Sequence, residues 1–204
     1  GLAIDVAIKF VRAHLAKSDN SIERFRREAR IAASLDSRHV VQTFDHGDMV
    51  DGTPYIVMEL LRGESLATRL EREARLPAAV VVTLVEQTAE VLALAHDAGV
   101  VHRDIKPDNL FCVAPRGRTR SDPEVFIKVL DFGIAKAPEL PAQHLTESGA
   151  MVGTPLFMSP EQLLSAKQAD GQADLWALSV VAYWSLTGQP PFSGETLGAV
   201  IAAI

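Results

Sequence analysis

The residues best suited to chemistry lie in one short run, His102-Arg103-Asp104-Ile105-Lys106-Pro107-Asp108-Asn109, where a carboxylate, an ammonium and an amide fall within six positions. The apolar stretch Leu110-Phe111-Cys112-Val113 follows directly, and Asp131-Phe132-Gly133 begins 22 positions after Asn109. These groups are what phosphoryl transfer needs: a base, a cation for the moving phosphate, and two oxygen ligands for Mg2+. The competing reading is a polar loop with no chemistry.

Around those residues the sequence lays out a scaffold in two parts. Residues 3–11 are β-branched and partly alternating, as in a strand, with Lys9 late in the run. From Ser21 to Leu35, Ile22, Phe25, Ala29, Ala32, Ala33 and Leu35 recur at helical spacing, and Ser21 is a fitting N-cap. Val40 to Phe44 and Tyr55 to Leu61 read as strands around a turn from Asp48 to Pro54. Residues 65–72 suit a short helix, and Pro77 opens a longer one that runs through Leu84, Val91, Leu94 and Ala95 to a stop at Gly99. Short strands and loops fill the chain to about Ala166. Asp170 to Leu186 is apolar on nearly all faces, through Leu175, Trp176, Leu178, Val180, Val181, Tyr183 and Trp184, which marks a buried helix. A small strand-rich part, residues 1–60, thus precedes a larger helix-rich part, residues 61–204, with a hinge between Glu59 and Gly63.

Composition narrows the function classes. The 204 residues are 48% hydrophobic, 23% charged and 6% aromatic, with 13 Gly and 11 Pro, so a packed core is expected and disorder is not. The net charge of −6 disfavours nucleic acid, which is gripped mainly through phosphates. Cys112 is the single cysteine, which excludes an internal disulfide and a cysteine-rich zinc site and fits a reducing compartment such as the cytoplasm. No apolar run approaches the ~18 residues of a membrane helix, so no membrane contact is expected of this segment. The start, Gly-Leu-Ala-Ile-Asp, reads as an internal cut and the end, Leu197 to Ile204, stops inside an apolar stretch, so the chain reads as truncated at both ends. His14, His39, His46, His96 and His144 lack metal-ligand spacing and are expected to be surface or core residues. Arg116, Arg118 and Arg120 read as a solvated basic loop.

The motifs, taken together, resemble a protein kinase catalytic domain of the serine/threonine type, close to bacterial receptor-like kinases, over essentially the whole chain. Val6-Ala7-Ile8-Lys9 is similar to the third-strand lysine motif, and Glu28 falls where the family's regulatory helix supplies that lysine's partner. Asp131-Phe132-Gly133 and Ser159-Pro160-Glu161 bracket an activation segment, and Asp174-Leu175-Trp176 resembles the aspartate motif of the central helix. The implied fold is α+β and bilobal: a strand-rich N-lobe with one regulatory helix and a larger helical C-lobe. The implied cofactors are ATP and Mg2+ or Mn2+, and the implied partners are proteins with Ser or Thr acceptors.

The resemblance implies a role for each matching residue. Asp104 is the catalytic base, Lys106 neutralises the γ-phosphate and favours Ser/Thr acceptors, and Asn109 and Asp131 hold the metal. Lys9 contacts the α- and β-phosphates and pairs with Glu28. Met58 is the gatekeeper, the backbones of Glu59 and Leu61 read adenine, and Ala7 and Phe111 close on its faces. His102 and Phe132 pack in a regulatory spine, while Asp174 braces the catalytic loop through backbone amides. Phosphate on Thr146 or Ser148 would pair with Arg103 and order the loop, whereas Thr154 touches the base and Lys106. Only eight residues precede Lys9, so the family's glycine-rich loop is missing, as are its last helices. Two other readings stay open: a pseudokinase that docks partners, and a small-molecule phosphotransferase. The intact Lys9, Asp104, Asn109 and Asp131 argue against the first, and Ser159-Pro160-Glu161 against the second.

Overall fold

A computed structural model describes residues 4–10, 30, 34–114, 125–132, 155–164 and 170–204. The expected helix carrying Glu28, the segment from Gly133 with Thr146, Ser148 and Thr154, and the arginines at 116, 118 and 120 lie outside the described residues.

Two antiparallel sheets of three strands each carry the site. In the first, β1 (Val6–Phe10) and β2 (Thr43–Asp48) flank β3 (Pro54–Glu59), with Lys9 opposite Ile56 and Ala7 opposite Met58. Alternation along β1 puts Ala7 and Lys9 on the more covered face and leaves Val6, Ile8 and Phe10 exposed on the other. In the second sheet, β5 (Leu110–Val113) lies between β4 (Gly63–Ser65) and β6 (Ile127–Val129).

Helices pack beneath the second sheet. Ser65 caps α1 (Leu66–Glu73), its hydroxyl accepting from the Thr68 N–H at 3.1 Å. α2 (Ala78–Asp97) begins directly after Pro77, whose fixed φ suits a helix entry. α3 (Pro160–Leu164) follows a 3-10 turn at Pro155–Phe157. α4 (Gly171–Thr187) is capped by Asp170 and ends at Gly188, which takes the left-handed φ of 81° that a side chain resists. α5 (Leu197–Ala203) closes the chain. The core is continuous: Val80, Leu84, Val91 and Leu92 of α2 meet Ala177, Leu178 and Val181 of α4, with Leu110, Ile127 and Val129 of the sheet above them.

Several expectations need correction. A helix, α3, occupies Pro160–Leu164, where only short strands and loops are expected, and the strand expected over Tyr55 to Leu61 runs from Pro54 to Glu59. The strand expected over Val40 to Phe44 starts instead at Thr43. Val40 and Val41 are apolar because they anchor to the second sheet, where Val40 bridges Val129 in parallel and the Val129 N–H donates to the His39 carbonyl at 2.7 Å. The absence of a stretch of membrane length is also overstated. α2 has 20 residues, and an 18-residue stretch of it has a mean hydropathy of 1.6, long and apolar enough by composition to cross a bilayer, but Val80, Val81, Leu84, Val91, Leu92 and Ala95 are buried in the core.

Candidate active site

The loop from Val100 to Lys106 joins α2 to the 3-10 turn Pro107–Asn109, which leads into β5. Its shape is imposed from below. Asp174, on the first turn of α4 and only 1% exposed, accepts the His102 N–H on Oδ2 at 2.8 Å and the Arg103 N–H on Oδ1 at 2.7 Å. Arg103 thereby holds φ at 64°, a left-handed conformation that costs a non-glycine residue ~1–2 kcal/mol and persists only where neighbours over-determine it. The turn presents Asp104 to the cleft.

His102 ties the loop to the segment carrying Asp131. Its Nδ1 accepts the Asp104 N–H at 3.3 Å and its Nε2 faces the Leu130 carbonyl at 3.0 Å. One neutral tautomer, with the proton on Nε2, satisfies both contacts. Burial pushes the imidazole below its ordinary pKa, against smaller opposing pulls from Asp174, the Leu130 carbonyl, Asp104 and Asp131. The ring also packs on Phe132, with centroids 4.8 Å apart.

The polar groups converge from there. The Asn109 amide donates to the Asp104 backbone carbonyl at 2.7 Å and to its Oδ2 at 2.8 Å, and Lys106 Nζ stands 3.5 Å from the same Oδ2. With Nδ2 so engaged, Oδ1 is the end of Asn109 left to ligate a cation. The Leu130 N–H donates to the Asn109 carbonyl at 2.9 Å, which sets Asp131 beside Asn109 despite their separation in sequence. Asp131 has φ 45°, and its Oδ1 lies 2.6 Å from Lys9 Nζ on the other sheet. Lys9 and Asp131 therefore face each other across one cleft, with Asp104, Lys106 and Asn109 beside them.

An amide oxygen and a carboxylate are hard donors that suit a small divalent cation. Among the described residues no group of three or more His, Cys, Asp or Glu side chains could hold a metal unaided.

At the other end of the cleft, Met58 and Leu61 are half-buried around Glu59, where β3 ends, and Phe111 lies in β5 opposite Lys128. The Glu59 N–H is engaged by the Gln42 carbonyl at 2.9 Å. The sequence reading missed what the Glu59 side chain does. Its Oε1 accepts the Gln42 N–H at 2.8 Å and a charge-assisted bond from Lys128 on β6, while Lys128 Nζ also donates to the Val40 carbonyl at 3.0 Å. Lys128 thus ties the end of β3 to the second sheet. His96, whose spacing in the sequence signals no role, has its Nε2 2.8 Å from Asp174 Oδ2. A cavity of about 420 Å³ lies elsewhere, lined by Glu64, Arg69, Arg72, Glu73 and Cys112 among others, and none of the residues in the cleft lines it.

Two antiparallel sheets, a helical core and loops converging on one polar cleft make this an α+β fold of the protein kinase class. The chain belongs to the protein kinase domain family, whose model matches residues 3–202. It is 40% identical over 203 residues to a serine/threonine-protein kinase PknA of Corynebacterium glutamicum, covering 98% of this chain and 41% of that protein. It is 42% identical over 200 residues to the serine/threonine-protein kinase Pkn1 of Myxococcus xanthus, covering 97% of this chain and 27% of the relative. With PknA of Mycobacterium tuberculosis the identity is 37% over 203 residues, 98% of this chain and 44% of the relative. The chain therefore spans less than half the length of these relatives. Use of ATP and a divalent metal is general to the family.

Proposed function

We propose that the chain is the catalytic part of an ATP-dependent serine/threonine protein kinase, divided at the hinge into residues 1–60 and 61–204. The observation that carries this reading is the convergence of Lys9, Asp104, Asn109 and Asp131 on one cleft through the Lys9–Asp131 ion pair, the Asn109–Asp104 hydrogen bonds and the Leu130–Asn109 backbone bond. The names of its relatives support the same substrate class.

Lys9 would bind the α- and β-phosphates, with Glu28 as its partner. Asn109 Oδ1 and the Asp131 carboxylate would hold Mg2+, or Mn2+ in its place, which when bound neutralises charge on the nucleotide phosphates. Asp104 Oδ2, held by the Asn109 amide, would accept the proton of a Ser or Thr hydroxyl and orient its oxygen in line with the γ-phosphate. Lys106, next to that oxygen, would steady the transferring phosphoryl group. With the Glu59 N–H engaged by Gln42, its carbonyl and the Leu61 N–H remain to read adenine, between Ala7 and Phe111 and beside Met58. Phosphorylation of Thr146 or Ser148 would pair with Arg103, with Thr154 lying against the base. The setting is cytoplasmic, and no nucleic acid takes part.

The test is transfer of radiolabelled γ-phosphate from ATP to a basic protein acceptor, with and without Mg2+, followed by phosphoamino-acid analysis. Label on serine and threonine, reduced at least 100-fold by Asp104→Asn, supports the reading, since a positioned base contributes ~10²–10⁴-fold. Equal labelling by wild type and variant, or none by wild type, overturns it. Label on a small molecule alone would favour the small-molecule phosphotransferase.

A further inference from the structure

None of the groups in the polar cleft uses the aromatic pair that joins α4 to the turn before α3. Phe157, at the end of the 3-10 turn Pro155–Phe157, stacks on Trp184 of α4 with ring centroids 5.8 Å apart and planes 9° from parallel. Aromatic pairs favour such an offset stack. Both rings are only half-buried, and Met158, next in the chain, is exposed. The runs Pro155-Leu156-Phe157-Met158 and Tyr183-Trp184-Ser185-Leu186 carry no charge. The pair thus offers open aromatic surface on an uncharged background.

Its place along α4 relates it to Asp104. The first turn of α4 carries Asp174, which holds the His102 and Arg103 N–H groups of the loop that presents Asp104. The last turn lies against the segment after α1: the Leu76 N–H donates to the Ser185 carbonyl at 2.7 Å, and a Cβ on Gly188 would sit 2.9 Å from the Ala74 carbonyl oxygen. α4 therefore runs as a floor from the Asp104 loop to the end of α1. Trp184 stands ten residues beyond Asp174, about 15 Å along the helix at its usual rise. An extended peptide whose hydroxyl sits at Asp104 covers that distance in about five residues.

We propose that the Phe157–Trp184 pair is a specificity-determining surface for the protein acceptor, receiving one bulky apolar side chain within about five residues of the Ser or Thr hydroxyl. This rests on the kinase reading above, in which Asp104 takes the acceptor's proton. A leucine or phenylalanine laid on the pair leaves water for apolar contact, whereas an arginine finds no carboxylate on either segment. A second stack, Trp176 on Phe192 at 5.6 Å, ties α4 to the loop after it and provides a control.

The experiment uses the full-length protein and peptides with one serine, in which each position up to five residues to either side carries in turn leucine, phenylalanine, arginine or alanine. Phosphate transfer gives kcat and KM, and calorimetry on versions with alanine in place of the serine gives affinity without catalysis. At one position leucine and phenylalanine should lower KM and the dissociation constant about tenfold against alanine and arginine, with kcat nearly constant, the lower end of what an apolar contact contributes to discrimination. Trp184→Ala and Phe157→Ala should each erase that preference, Trp184→Glu should turn it towards arginine, and Phe192→Ala should leave it in place. A purely structural role would move kcat or stability and not the preferred residue at a single position. Wild type that binds the peptides with this preference but transfers no phosphate defeats the kinase reading and leaves the pair as a peptide-selecting surface. A flat profile in the wild type, a preference for arginine at that position, or an apolar preference that survives in both Trp184→Ala and Phe157→Ala overturns the proposal. If neither tryptophan variant folds, the wild-type profile and Phe157→Ala decide.

Discussion

The contact between Lys128 and Glu59 offers a quantitative prediction because both side chains are well covered, at 12% and 24% exposure. Lys128→Met keeps the stem packing and removes the ammonium, with its bonds to the Glu59 carboxylate and the Val40 carbonyl. Breaking a fully buried ion pair costs ~3–5 kcal/mol, but Glu59 retains the Gln42 N–H and some water, which brings the expected loss down to ~2–3 kcal/mol. For a domain of this size that is roughly 4–12 °C in Tm. Glu59→Gln keeps an acceptor for Gln42, so it should cost less, and the double variant should cost little more than Lys128→Met alone. The assay is urea unfolding of the four proteins, with the KM for ATP measured in parallel. That KM should rise in Lys128→Met because the hinge backbone moves with Glu59. Losses that add to within ~0.5 kcal/mol would show that the two side chains act independently and would refute the latch.

Two further outcomes follow from local geometry. Gly63 has φ 145°, and a Cβ there would sit 2.0 Å from the Cys112 carbonyl oxygen and 2.9 Å from the Ala114 nitrogen, both backbone atoms of the neighbouring strand region. Gly63→Ala should therefore cost ~3 kcal/mol or more in chemical denaturation, and a loss under ~0.5 kcal/mol would contradict the strand placement. For His102, burial lowers the folded-state pKa, so below the ordinary value of about 6.5 the unfolded chain takes up a proton that the folded ring refuses. Its contribution is present above that pH and is lost on acidification, with a slope approaching ~1.4 kcal/mol per pH unit. His102→Phe should flatten that part of the stability profile, and identical slopes in both proteins between pH 7 and 5 would contradict the assignment.

The groups of the cleft were legible in sequence because each sits in a short motif whose spacing is local. Asp104, Lys106 and Asn109 share one loop, Lys9 closes Val6-Ala7-Ile8-Lys9, and Asp131 opens Asp131-Phe132-Gly133. The helices of the core were legible too, since Pro77, Gly99 and Asp170 punctuate them. What escaped were single polar residues whose meaning depends on a partner far along the chain. His96 acquires a role only when α2 lies against α4, and Lys128 only when β6 passes beneath the end of β3. Nothing in the spacing around either residue signals its partner. Val40 and Val41 were misplaced for a related reason: hydrophobic pattern reports burial without saying which sheet provides it.

The proposed site requires Asn109 and Asp131 to hold one divalent ion against a nucleotide beside Asp104. Calorimetric titration of ATP with and without Mn2+, into wild type, Asn109→Ala and Asp131→Ala, measures it most directly. Mn2+ should tighten ATP binding to the wild type, and either substitution should abolish this gain while leaving metal-free ATP binding in place. An undiminished Mn2+ effect in both variants would contradict it.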